Sequence, residues 1–311
     1  MNRLMGPLFV LLWSGGYIAG GIGTRDTPAF ALTSWRFLLA ASALALVAVA
    51  TRAPWPRTRG EWRDLVITGV LMQGVQFGAG YAAIGLGVPA SLAAMVLCLA
   101  PVLVAVGSGP LLGERLGRIG IVGSALAVLG ALIAGVSHLD DGGSVAGFAL
   151  LFVGLVGFAA GTLYQKKRGA TMDLRTGTAV QLLAGAAIVV PAALLVDGGL
   201  PLPTTGAGAG ALAWLAVANS VGGVLLLFVL LRRGTGAGVS GLLYLVPPVT
   251  ALLAVPLLGQ SIGVETLVGL AVTLIGVALV NRDGKPSERK PVRALVGRGD
   301  VRRALESRVL L

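Results

Sequence analysis

Charge is scarce in this chain. Asp, Glu, Lys and Arg make up 12% of its 311 residues, about half the share with which a soluble domain covers a water-facing surface. The hydrophobic set is 56%, so a single water-soluble core would leave large apolar patches exposed. The same figures exclude a disordered chain, which needs low hydrophobicity and high charge. Cysteine occurs once, at Cys98, so no disulfide forms within the chain. Histidine also occurs once, at His138, in an expected loop beside Asp140 and Asp141. No His/Cys/Asp/Glu set has metal-ligand spacing, and neither a Walker loop nor a hydrolytic triad signature is present. ATP hydrolysis and acyl transfer are therefore unsupported, and no metal or cofactor is expected. The 48 glycines follow no three-residue period, which excludes collagen. What remains is an all-α integral membrane protein, because the apolar runs are continuous rather than alternating.

Those runs are what the sequence has in plenty. Ten are bracketed by charge, Gly and Pro: Leu4–Gly21, Pro28–Ala50, Leu65–Gly85, Pro89–Leu112, Ile119–Val136, Ala146–Gln165, Thr176–Val196, Ala211–Leu231, Ala237–Leu258 and Val264–Val280. Each is near the length of about 20 residues that crosses a bilayer. The first has the shape of a signal peptide, with Ala19, Gly20 and Gly21 behind it, but the repeat described below requires it as an uncleaved helix.

The net charge of +11 is spread unevenly. Of 24 Lys and Arg, 22 fall at the ends of the chain and in alternate connections: Arg3, then Arg52 to Arg63, Arg115 and Arg118, Lys166 to Arg175, Arg232 and Arg233, and nine from Arg282 to Arg308. The opposite connections hold only Arg25, and Arg36 lies inside the second segment. Positive residues stay in the cytoplasm, so both termini are placed there and the number of spans is even. The tail Arg282–Leu311, with nine cations and four anions, reads as a solvated segment touching anionic lipid, with Asp300–Leu311 able to form a short surface helix. It lacks interleaved aromatics, so nucleic acid is not an expected partner.

Shifting the sequence by 146 brings Pro101–Gly130 onto Pro247–Gly276 with 11 identities in 30 positions. They include Pro101/Pro247, Pro110/Pro256, Gly113/Gly259, Gly123/Gly269 and Gly130/Gly276. The front of each half matches more weakly at a shift of 141, through Gly6/Gly147, Tyr17/Phe158 and Gly20/Gly161. The chain thus reads as two five-helix halves, 1–136 and 137–281, with a tail at 282–311. Five is odd, so the second half enters the bilayer from the other side, the plan of alternating-access carriers.

The run Pro101 … Pro110-Leu-Leu-Gly-Glu114 … Gly123 … Gly130, its echo in the second half, the early Trp13-Ser-Gly-Gly-Tyr17 and the intramembrane Arg36 resemble the EamA-type transporters of the drug/metabolite transporter superfamily. The resemblance covers residues 4–281. It implies ten helices, cytoplasmic termini and the movement, often export, of small metabolites such as amino acids. One departure is Gln260, at the counterpart of Glu114, where the family often has Glu.

None of the 13 acids lies deep in a segment. The one interior charge, Arg36, would cost about 3 kcal/mol or more facing lipid near the bilayer centre. Its stem can snorkel outward; it either bonds helix-end carbonyls or meets a substrate carboxylate. Trp13 and Tyr17 share a face of the first helix at i, i+4, as Gln73 and Gln76 share one of the third and Met95 and Cys98 one of the fourth. Phe158 is the midpoint of the sixth segment, Asn219 (with Ser220 beside it) lies midway along the eighth, and Tyr244 is mid-ninth. In hydrocarbon the amides need partners. They either bond neighbouring helices or line a cavity, and the aromatics and Met95 either pack or touch substrate. The resemblance suggests that helices one, three, four, six, eight and nine line the cavity. Pro101, Pro247 and Pro248 remove backbone donors and either bend their helices statically or act as hinges. Glu114, next to Arg115, forms a surface ion pair or a gate latch.

The expected function is carriage of small neutral or zwitterionic metabolites across the inner membrane by a monomer or homodimer, the solute and the lipid being its partners. A drug or organic-cation exporter is disfavoured by the lack of a carboxylate in the presumed cavity. A membrane structural or assembly protein would give no flux, and a channel would give conductance. Topology reporters fused at Arg59, Lys167 and Arg298 are expected to report cytoplasm, and those at Asp140 and Pro203 the outside. A cytoplasmic Asp140 contradicts the ten-segment reading.

Overall fold

A computed structural model describes residues 4–113, 116–140, 144–168, 172–223, 225–226, 229–230 and 242–283. Among them regular structure is entirely helical. In chain order the helices are α1 (Met5–Gly23), α2 (Ala29–Ala50), α3 (Arg59–Gly85), α4 (Ala90–Leu112), α5 (Arg118–Asp140), α6 (Val145–Arg168), α7 (Leu174–Asp197), α8 (Gly206–Ala213, running on through Trp214–Gly222), α9 (Val246–Leu258) and α10 (Val264–Asp283). Eight of them, α1 to α7 and α10, are long and apolar enough to cross a membrane; α9 is apolar but shorter. Residues 224, 227, 228, 231 and 237–241 of the expected eighth and ninth segments, and the gate candidate Glu114, lie outside the described residues.

Helix ends follow local chemistry more closely than the apolar runs do. α3 starts at Arg59, not Leu65, because Thr58 and Glu61 close a capping box around its first turn. α5 continues to Asp140, so His138 and Asp140 belong to the helix and not to a loop. α6 extends to Arg168, since Lys166, Lys167 and Arg168 in its last turn complement the exposed carbonyls.

Pro101 and Pro247 do not bend continuous helices. α4 is interrupted by a turn at Cys98–Leu99, and Pro101 lies in the first turn of the following stretch, Ala100–Leu112. Pro247 and Pro248 occupy the same place in Val246–Leu258, after a turn at Tyr244–Leu245. In a first turn the missing N–H is not needed. Both stretches are 13 residues long and end on left-handed glycines, Gly113 at φ 73° and Gly259 at φ 67°, where a side chain would be strained.

Reciprocal pairs of contacts hold the helices together. A Cβ on Gly130 of α5 would lie 2.5 Å from the Gly269 carbonyl oxygen of α10, and a Cβ on Gly269 would lie 2.5 Å from that of Gly130. Gly123 and Gly276 face each other in the same way. The two backbones therefore touch, as small residues allow in hydrocarbon. α2 and α7 are joined end to end. The Ala31 amide of α2 donates to Asp197 at the end of α7 (2.8 Å), while at the start of α7 Arg175 donates to Thr51 (2.7 Å) and Thr176 to the Pro54 carbonyl (2.8 Å). Near the Ala31 end, Asp26 accepts from the Thr204 hydroxyl at 2.7 Å and from the Thr204 and Thr205 amides ahead of α8. These bonds, the Thr204 hydroxyl foremost, hold its carboxyl below the usual range.

Gly130→Val is expected to lower stability by roughly 1–3 kcal/mol through overpacking. Gly80→Ala, where a Cβ meets nothing within 4 Å, is expected to be harmless. Thermal unfolding in detergent compares the two, and equal midpoints would contradict the close α5–α10 crossing.

Candidate functional site

Arg36 is the eighth residue of α2 and is 3% exposed. It does not snorkel, and its partners are not helix-end carbonyls. Nε donates to Ser220 Oγ at 3.1 Å, Nη1 to Tyr81 Oη at 2.6 Å, and Nη2 to Asn219 Oδ1 at 2.7 Å. The guanidinium also lies 4.1 Å from the ring centre of Phe77. Each partner is itself fixed. Asn219 Nδ2 donates to the Leu12 carbonyl (2.7 Å), Tyr81 to the Gly16 carbonyl (3.2 Å) and Ser220 to the Leu215 carbonyl (2.8 Å). The cluster thus joins α1, α2, α3 and α8.

Local sequence makes this possible. Phe77 and Tyr81 are four apart on α3, so both rings reach Arg36. Gly16 and Gly20 thin α1 where it crosses: a Cβ on Gly16 would lie 2.7 Å from Asn219 Nδ2, and one on Gly20 would run into the Tyr81 ring. Trp214–Gly222 adopts the wider π form, and within it the neighbours Asn219 and Ser220 both reach the guanidinium while the Ser220 hydroxyl also donates to the Leu215 carbonyl, five residues back. Hydrogen bonds to a buried charge contribute about 1.5–3 kcal/mol each, and a desolvated cation–π contact about 2 kcal/mol. No carboxylate pairs with Arg36 among the described residues.

The other candidates fall into groups. Tyr17 lies within electrostatic reach of Arg36, Tyr81 and Cys98. Trp13 stacks on Phe9 at 4.4 Å and faces Gly223 of α8. Tyr17 and Asn219 therefore lie near Arg36, while Trp13 packs in a separate cluster with Phe9 and Leu230. A second group surrounds the break in α4. Met95 is buried with Tyr81, Leu92 and Leu151, Phe158 and Tyr244 pack on the Leu155–Val277 cluster, and Tyr244 accepts from Asn281 Nδ2 of α10 within electrostatic reach of Cys98.

Gln73 Cβ approaches Gly185 of α7, and the Gln76 backbone lies against Gly154 of α6, across the π turns Val70–Val75 of α3. Neither side-chain amide has a hydrogen-bond partner among the described residues. Tyr81 and Phe77 were not among the residues marked by the sequence, although their i, i+4 spacing on the third segment is a readable signal.

Two cavities lie at opposite ends of the helices. One, of about 410 Å³, is bounded by the α2–α3 connection and the facing ends of α3, α6 and α7; it includes Trp55, Asp64 and Tyr164. The other, of about 320 Å³, lies between Arg25, Gly87 and Gln260. None of the residues expected to bind substrate lines either one. Beside the first, Arg175 forks onto Asp173 and holds its carboxyl below the usual range. Among the described residues no three of His, Cys, Asp and Glu gather closely enough to hold a metal ion.

The model of the EamA-like transporter family matches residues 4–136 and 145–282. The chain is 25% identical to the "Uncharacterized inner membrane transporter YedA" of Escherichia coli (strain K12), over 94% of this chain and 95% of that protein. It is 26% identical to the "Probable amino-acid metabolite efflux pump" of Salmonella typhimurium, over 87% of this chain and 91% of that protein. A solved crystal structure covers 89% of this chain and 97% of its own at 21% identity with a TM-score of 0.64, which shows a shared fold.

Asn219→Ala strips Arg36 of one partner and is expected to cost about 1.5–3 kcal/mol. In an Arg36→Met background the same change is expected to cost much less, leaving a coupling of about 1 kcal/mol or more. Unfolding midpoints of the four proteins measure it, and additive losses would mean that the pair does not act as a unit.

Proposed function

The chain belongs to the EamA-like transporter family, and from that premise we propose that it exports small neutral or zwitterionic metabolites, amino acids and their relatives foremost, across the inner membrane by alternating access. The observation that carries this reading is the reciprocal close approach of α5 and α10 at Gly130/Gly269 and Gly123/Gly276, beside the bonding of α2 with α7 at both of their ends. Contacts of that kind are what a two-fold relation between inverted halves produces. The halves are 1–136 and 137–281, ten helices in all, with the termini and the basic tail in the cytoplasm. The family match divides at nearly the same place, 4–136 and 145–282.

In this reading Trp13, Tyr17, Gln73, Gln76, Asn219 and Tyr244 face the solute in some state of the cycle, with Met95, Cys98 and Phe158 giving apolar area. The free amides of Gln73 and Gln76 offer both donors and acceptors. Arg36 holds the α1–α2–α3–α8 cluster and supplies the positive field in which a carboxylate is favoured. Helical breaks at Cys98–Leu99 and Tyr244–Leu245, each followed by Pro101 or by Pro247 and Pro248, are the points of flexure, and Glu114 is the gate residue. Amino acids come forward because the Salmonella relative is named for them and because the family is one of carriers rather than of enzymes.

Purified protein in liposomes loaded with a panel of radiolabelled metabolites is expected to give saturable flux of at least one amino acid, at carrier rather than channel rates. Flux equal to protein-free vesicles for the whole panel, or a measurable single-channel conductance, sinks the proposal.

A further inference from the structure

The 410 Å³ cavity at the Asp64 end is within the about 300–1,000 Å³ of small-molecule sites, and its charges are not all spent. Three carboxylates line it: Glu61, Asp64 and Asp173. Asp173 is closed, because Arg175 takes both of its oxygens. Glu61 is exposed and turned back onto the Arg57 and Thr58 amides in the capping box. Asp64 is different. Its side chain is 18% exposed, and the Tyr164 hydroxyl (2.7 Å), Arg63 (3.1 Å) and Arg168 (3.5 Å) all reach Oδ1. Oδ2 accepts no hydrogen bond among the described residues.

Two guanidinium-bearing residues share the lining, Arg57 and Arg168. The Arg57 guanidinium makes no ion pair among the described residues, and Arg168 approaches Asp64 Oδ1 through Nε at 3.5 Å with its guanidinium 5.8 Å from the Tyr164 ring centre. Trp55 and Tyr164 supply aromatic walls, and Leu65 and Met172 apolar ones. One uncommitted carboxylate oxygen beside aromatic rings suits an ammonium group. The unpaired Arg57 guanidinium, with the Arg168 cation on the same lining, suits a carboxylate.

We propose that this cavity is a binding site for a zwitterionic α-amino acid with a modest apolar side chain, its ammonium on Asp64 Oδ2 and its carboxylate on Arg57 and Arg168. The site belongs to the chain's own surface at the end carrying Arg52 to Arg63 and Lys166 to Arg175, where the charge bias places the cytoplasm. It would capture solute ahead of the central path, so the inference rests on the transport reading, and it adds a second, charged site to that path.

The test uses full-length protein in nanodiscs and three probes: L-leucine, its decarboxylated amine (isopentylamine) and its deaminated acid (4-methylpentanoate). Radiolabelled leucine is bound at equilibrium, and the other two compete. Leucine is expected to bind at least 10-fold more tightly than either fragment. Asp64→Asn can still accept from Tyr164 but carries no charge, so it is expected to weaken leucine and the amine at least 10-fold and to spare the acid. Arg57→Gln with Arg168→Gln is expected to weaken leucine and the acid and to spare the amine. Tyr164→Phe breaks the Asp64–Tyr164 hydrogen bond but keeps the charge, and is expected to leave amine binding within about 2-fold.

If Asp64→Asn and Tyr164→Phe act alike on all three probes, Asp64 is a structural latch and the proposal is overturned. It is also overturned if wild-type protein that carries amino acids in liposomes binds leucine no better than the double arginine variant. Absence of amino-acid flux in wild-type liposomes strikes the transport reading instead, and charge-dependent binding of the three probes is read independently of it.

Discussion

Arg36 is a cation enclosed by protein and met by neutral oxygens. Desolvating such a charge costs several kcal/mol, and the cost is offset only while Ser220, Tyr81 and Asn219 stand in place around it. Those side chains come from α3 and α8, and two of them are anchored in turn on carbonyls of α1. Four helices are therefore locked to one another by a single group. The glycines of α1, the π turns of α8 and the aromatic pair on α3 each make sense as conditions for that arrangement: remove any one and a donor of Arg36 is left in hydrocarbon.

Two antiparallel pairs extend from this anchor. α2 and α7 bond at both of their ends, and α5 and α10 meet backbone to backbone at Gly123, Gly130, Gly269 and Gly276. Neither pair has much freedom to separate. α4 and α9 are different, since each is preceded or interrupted by a turn just before its prolines. The rigid part and the breakable part of the molecule are thus different helices. Rocking in a carrier is best placed on the breakable ones.

Much of this was legible in the sequence because the bilayer simplifies the code. Continuous apolar runs and the one-sided distribution of Lys and Arg marked the helices, and the Pro-Leu-Leu-Gly echo identified two matching helix stops. Arg36 stood out as the one interior charge, and Asn219 as an interior amide. Their direct contact was not legible, because it depends on how α2 and α8 cross. The π turns that lie between Gln73 and Gln76 were not legible, because no residue in Val70–Val75 announces them. Tyr81 was passed over although it stands four residues after Phe77 on the same segment. The polar cavity at Asp64 was invisible, since its lining comes from three separated stretches of chain.

The central claim of the proposed carrier reading is that α4 and α9 move against the helices locked around Arg36, so that the region around the break in α4 opens to each side in turn. The single native cysteine, Cys98, lies at that break. Its labelling rate by a small, membrane-impermeant thiosulfonate, measured in right-side-out and inside-out vesicles, reads that opening without any substitution. The account predicts slow labelling from both faces, slowed further by a transported amino acid. Labelling confined to one face and indifferent to every amino acid would contradict it.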